Sequence, residues 1–117
     1  NRGDIFAAQQ NLEKAHAEQA INKALLVSTA GRAYDTVTGS LREITLLRDS
    51  AIPNARRAAE AIESGYTQGR FTLLELLDAV SSVSQASLRE QEAQQQFYIG
   101  IATIEGLVGD PFVLSRR

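Results

Sequence analysis

Few side chains in this chain have the type and spacing that do chemistry. His16 is the single histidine, and there is no cysteine. No carboxylate cluster stands near His16 at metal-ligand spacing, so it reads as a solvated helix residue rather than a ligand. No glycine-rich phosphate loop, nucleophile elbow or metal motif occurs, and the sequence therefore points away from catalysis and from any bound cofactor. One constellation does have defined chemistry. In the stretch Gly65–Ala79, GYTQGRFTLLELLDA, Thr72 and Glu75 have the S/T-x-x-E spacing of a capping box. The hydroxyl caps the Glu75 N–H, and the carboxylate reaches back to the Thr72 N–H. Phe71 and Leu76 flank the cap at the spacing of a hydrophobic staple. Gly65 and Gly69 both suit a left-handed residue closing the preceding helix. Asp78, near the start of the new helix, is favourable to its dipole.

Such a turn needs two helices to join, and composition says what kind. The chain has 117 residues, 44% of them hydrophobic, but only 6% aromatic and with no Trp or Met. A thick core is hard to fill with so few large side chains, whereas close helix–helix contact through alanine is natural. A net charge of −2 with both signs interspersed gives no case for nucleic acid or for an acidic membrane surface. Having no cysteine rules out disulfides and fits a periplasmic or a cytoplasmic home equally. No apolar run approaches the roughly 20 residues of a membrane-spanning helix, and nothing at the N-terminus resembles a signal peptide. Starting abruptly at Asn1-Arg2-Gly3, the chain reads as a piece of something longer.

The expected fold is all-α: a long antiparallel coiled-coil hairpin, with a first helix over residues 4–64, a tip turn over 65–71 and a second helix over 72–108. Residues 1–117 then form a single segment. Asp4 is the expected N-cap. One seam runs Ile5, Ala8, Leu12, Ala15, Gln19, Asn22, Leu26, Thr29, Ala33. A second runs Ala17, Ala20, Ala24, Val27, Gly31, Tyr34, Thr38, Leu41, and on through Thr45, Arg48, Ile52, Ala55, Ala59 and Ile62 to Tyr66. Both keep the 3.5-residue period of a left-handed coiled coil. Gly39-Ser40 is a weak spot, and Pro53 kinks or breaks the helix near Asp49–Pro53. A kink in a continuous helix is the favoured outcome, because the second seam passes the proline without changing phase. Such a helix spans on the order of 90 Å at 1.5 Å per residue.

The second helix carries the seam Leu76, Ala79, Val83, Ala86, Glu90, Ala93, Phe97, Gly100, Ile104, Leu107, flanked by Leu73, Leu77, Val80, Ser84, Ser87, Gln91, Gln94, Tyr98, Ile101. Two seams imply two neighbours. Gly109-Asp110-Pro111 ends the helix, and Phe112–Arg117 is a tail without pattern. The return helix ends level with about residue 30, which leaves residues 5–30 to find a partner in another copy or in missing sequence. The competing arrangement is a compact three-helix bundle broken near Gly39-Ser40.

Four segments carry a family resemblance: Asn1-Arg2-Gly3-Asp4-Ile5, Ile52-Pro53-Asn54-Ala55, Gly65-Tyr66 with Gly69, Leu73 and Leu77-Asp78-Ala79, and Tyr98 through Leu107-Val108-Gly109. Together they resemble the periplasmic hairpin in the second repeat of TolC-type outer-membrane efflux channels, a family with a metal-efflux subgroup that the segments also resemble. That resemblance implies a tunnel built by a homotrimer beneath a β-barrel, in the periplasmic portion of an outer-membrane protein of the Gram-negative envelope. It implies a tip, shaped by Gly65, Tyr66, Gly69, Arg70, Phe71, Leu73 and Leu77, that meets a periplasmic adaptor (membrane fusion) protein working with an inner-membrane efflux pump. It also implies pore-entrance acids at Glu75 and Asp78. The sequence departs from some members at Phe71, where they carry a basic residue; here the basic residue is Arg70, one position earlier. An ionic gate at position 71 is thereby put in doubt. The alternative function is a soluble coiled-coil scaffold or interaction module that self-associates. Self-association of this segment is expected on either reading.

Overall fold

The computed structural model describes residues 1–109; the expected stop at Asp110-Pro111 and the tail Phe112–Arg117 lie outside the described residues. Helix α1 spans Arg2–Leu46, a π-helical turn spans Leu47–Ala51, α2 spans Ile52–Thr67 and α3 spans Leu73–Val108. The molecule is an extended hairpin measuring 97 × 35 × 15 Å. Residues Leu46, Leu47, Ala51 and Ile52 all hold right-handed helical torsions, so the descending limb runs without a break from Arg2 to Thr67. Gly39-Ser40 does not interrupt it, and the compact bundle does not form. Asp4 lies in the first turn of α1, with Asn1 at the cap; its charge still faces the positive end of the helix. Hydroxyls that would compete with the helix turn back on it instead. Thr36, Thr45, Ser82 and Thr103 each donate to the carbonyl four residues earlier.

All ten positions of the first α3 seam, from Leu76 to Leu107, are buried or half-buried. Ala93 and Gly100 are the most enclosed, and at Gly100 the α1 backbone passes directly overhead. A Cβ built on Gly100 would stand 2.7 Å from Val37 Cγ2 and 3.3 Å from the Ala33 carbonyl oxygen. Small residues on both sides thus set the spacing of the two helices.

On the descending limb the structure corrects the sequence reading. Above the π turn the buried stripe is Ala33, Val37, Ser40, Ile44 and Leu47, which continues the first seam. Below it the stripe is Ile52, Ala55, Ala59 and Ile62, which belongs to the second seam.

 The step from Leu47 to Ile52 is five residues, where a constant twist allows three or four. The π turn absorbs the extra residue: the Ile52 N–H bonds the Leu47 carbonyl, five residues back. Pro53 explains its location. A π turn forgoes one backbone hydrogen bond, and proline, having no N–H, has already removed one at this point. What stands at the expected kink is therefore a change of hydrogen-bond register. The second seam does not keep its phase against α3: Tyr34, Leu41 and Thr45 above the turn face outward, while Ala55, Ala59 and Ile62 below it face α3.

The two limbs are also tied by charge. Arg48, within the π turn, donates from Nε and Nη2 to Glu90 Oε1 at 2.8 and 2.7 Å. This is the one interhelical ion pair among the described residues, and Glu90 is the one charged residue in the α3 seam. By contrast, every residue from 1 to 28 is exposed, including Ile5, Phe6, Leu12, Ile21, Leu25, Leu26 and Val27. Burial on α1 begins at Thr29, close to where the length mismatch places it.

Replacing Gly100 with valine forces branched carbon against the α1 backbone. The expected cost is about 1–3 kcal/mol, the range for overpacking a close contact, read as a lower midpoint in denaturant unfolding followed by circular dichroism. An unchanged midpoint would show that the limbs do not depend on this approach.

Candidate functional site: the hairpin tip

The tip is closed by two local motifs placed back to back. On the α2 side, the Arg70 N–H bonds the Gly65 carbonyl at 2.7 Å and the Gly69 N–H bonds the Tyr66 carbonyl at 3.0 Å. That pair of bonds is the Schellman motif, and Gly69 takes its left-handed position with φ +77°. Of the two glycines suited to that place, only Gly69 fills it. Gly65 is helical and buried, and the Phe71 ring lies where its Cβ would be. Lack of a side chain at position 65 is what lets Phe71 fold back across the end of α2.

On the α3 side the capping box is complete. Thr72 Oγ1 accepts from the Glu75 N–H at 3.2 Å, and Glu75 Oε2 accepts from the Thr72 N–H at 2.7 Å and from its hydroxyl at 3.0 Å. The backbone bond, and secondarily the hydroxyl bond, hold the Glu75 carboxyl below its ordinary pKa.

Phe71, Glu75 and Asp78 converge. With Ala55, Ala58, Ile62, Ala79 and Ser82 they line an open cleft between α2 and α3 that has a small-residue floor and two carboxylates at its edge. Sequence spacing brings Glu75 and Asp78 onto one helix face, but Ala55, Ala58 and Ile62 enter the cleft only because of the phase taken after the π turn. The other expected tip residues point elsewhere. Leu73 and Leu77 are exposed on α3, next to Leu74, which is 76% exposed and was not among the expected site residues. Its apolar side chain at the very start of the helix, off both seams, was the available signal. Tyr66, in the last turn of α2, is exposed, as are Gly69 and Arg70 on the turn that follows. His16 lies far up α1 on an exposed face. Among the described residues no group of three or more His, Cys, Asp or Glu side chains is placed to hold a metal ion, and no helix is long and apolar enough to cross a membrane. The tip offers a stiff, exposed apolar and acidic end.

Thr72→Ala is expected to cost about 1 kcal/mol, the usual value of an N-cap, and Gly69→Ala about 1–2 kcal/mol for a left-handed alanine, both measured by denaturant unfolding. The pH response follows from Glu75. Its folded pKa is depressed, so its contribution is complete above the ordinary carboxylate pKa and is lost as pH falls through the folded value. Amide exchange at Glu75 should therefore lose protection, relative to the middle of α3, on acidification below the ordinary carboxylate range. Glu75→Gln should flatten that dependence; an equal slope in both proteins would show that the carboxylate does not hold the cap.

Comparison with known proteins agrees with this geometry. The family model described as outer membrane efflux protein matches residues 1–110. The cobalt-zinc-cadmium resistance protein CzcC of Cupriavidus metallidurans is 28% identical over 109 residues, which is 93% of this chain and 26% of CzcC. Outer membrane protein TolC of Escherichia coli is 24% identical over 106 residues, 91% of this chain and 20% of TolC. The chain thus spans about a quarter or less of the length of these relatives. No solved structure matches it significantly. With the family model covering every described residue of a hairpin of this shape, the chain belongs to the outer membrane efflux protein family.

Proposed function

We propose that this hairpin is a segment of the periplasmic tunnel of an outer-membrane efflux channel, with its tip at the periplasmic entrance. The observation that carries this reading is the pairing of a stiff, capped end with a shaft that leaves apolar stripes uncovered. Tyr34 and Leu41 on α1, Leu73, Leu77, Val80 and Tyr98 on α3, and the whole overhang of residues 1–28 are exposed. Such stripes call for neighbouring helices on both flanks, as in the wall of a helical barrel built by a homotrimer. Isolated copies of this segment associate through the same stripes.

The entrance would be formed by the tip residues Gly65, Tyr66, Gly69, Arg70, Phe71, Leu73 and Leu77, which also meet the hairpin end of a periplasmic adaptor. The adaptor connects the channel to an inner-membrane efflux pump. Asp78 is the acid offered to the pore, because the Glu75 carboxylate is engaged by Thr72. Threefold repetition of an acid at a constriction raises the local cation concentration. Phe71 packs on Gly65, and this supports a structural role there rather than an ionic gate.

Two measurements test the reading. Cysteines placed at Gln68 or Arg70 in the full-length protein should crosslink in cells to the adaptor's hairpin end; labelling of a cytoplasmic partner alone would instead support a soluble scaffold. In planar bilayers, Asp78→Asn should lower the cation preference of the channel, and unchanged selectivity would remove Asp78 from the pore entrance.

A further inference from the structure

We propose that the π turn at Leu47–Ala51 is a register switch, able to exchange the face that α2 presents to α3. The sequence carries two stripes below the turn. The one in use is Ile52, Ala55, Ala59 and Ile62; the other, one residue earlier, is Ala51, Asn54, Ala58 and Ala61. The second stripe continues the regular three-and-four spacing from Leu47, so a purely α-helical limb would present it to α3 with no π turn at all. Three of its four residues are alanine, and Ala58 and Ala61 are exposed. There is also space for them. The open cleft between α2 and α3 lies on the Ala58 side, bordered by Ala79 and Ser82, whereas Ala59 lines the opposite groove with Val80, Val83 and Ser84.

Two opposing terms set the balance between the registers. The π register buries Ile52 and half-buries Ile62, which favours it through apolar burial. The α register gives up that burial and gains close alanine contact. Pro53 removes the backbone hydrogen bond that would otherwise favour the α register, since it has no N–H to offer in either state. Arg48–Glu90 fastens the upper limb at the boundary, so the rotation is confined to α2 and the turn it carries. Because the Phe71 ring rests on Gly65, the change re-aims the tip as well.

Disulfide trapping in the full-length protein in its native membranes tests this. Cysteines at Ala59 and Val83, which line one groove, report the register described above. Cysteines at Ala58 and Val83, which now line different grooves, report the other. The expected result is a major Ala59–Val83 product with a minor Ala58–Val83 product. The minor product should rise severalfold in Pro53→Ala, which returns the hydrogen bond to the α register. Deleting Ser50, an exposed residue within the π turn, makes the spacing from Leu47 to Ile52 regular. It should abolish the Ala58–Val83 product while retaining Ala59–Val83, which also serves as the folding control. If Ala58–Val83 forms neither in the wild type nor in Pro53→Ala while Ala59–Val83 forms in both, the turn is a fixed feature and the switch is excluded.

Discussion

Two helices laid side by side share only one stripe of contact, and that constraint governs this molecule. A single stripe has room for about one side chain per turn from each helix, so its members are chosen for fit. Gly100 beneath Ala33 and Val37 is the clearest case, because any larger residue would displace the Val37 side chain and crowd the α1 backbone. The alternation of large and small along Leu76, Ala79, Val83, Ala86 serves the same end on the lower half. Everything outside the stripe is left to water or to neighbours. For that reason the shaft stays long and thin, and its apolar flanks are open.

A one-stripe interface also makes helical phase decisive. In a globular helix with a broad apolar face, one inserted residue can be spread over several turns of packing. Here one insertion would turn the contact face out of the interface altogether. The π turn above Pro53 keeps contact by absorbing the residue locally, and it does so where a hydrogen bond is already missing. Arg48 and Glu90 stand at the same level. The pair is partly exposed, with 59% of the Arg48 side chain accessible, and ion pairs of that kind contribute little stability. Its effect is on alignment: Glu90 is a charge within an apolar stripe, and it is satisfied only where Arg48 reaches it.

Much of this was legible in the residues. Thr72, Glu75 and Gly69 act through bonds to backbone groups a few residues away, so local spacing is enough to read them. The α3 seam was equally plain, since that helix keeps one period from Leu76 to Leu107. The descending limb was legible as to length and continuity but not as to phase. Counting in threes and fours assumes a constant twist, and Ile52 falls five residues after Leu47. Pro53 marked the place, yet proline alone does not distinguish a kink from a register change. Gly65 was misread for a related reason. Its role depends on where the Phe71 ring comes to rest across the turn, a tertiary contact that no local motif encodes.

The same reasoning separates the stiff parts of the hairpin from the adjustable one. At the tip, the Schellman bonds and the capping box satisfy the ends of both helices with partners close in sequence, so the turn holds its shape independently of what packs around it. Along the shaft, backbone bonds are equally local, but the choice of contact face depends on the opposite helix and on any neighbour beyond it. A neighbour that covers the exposed apolar stripes changes the balance of burial on which that choice rests. The π turn is where such a change is least costly, since moving it there breaks no hydrogen bond that Pro53 has not already removed. Contacts along the flanks of the shaft are therefore linked to the orientation of the tip through the phase of α2, with the few residues between the Schellman bonds and the capping box taking up the rotation.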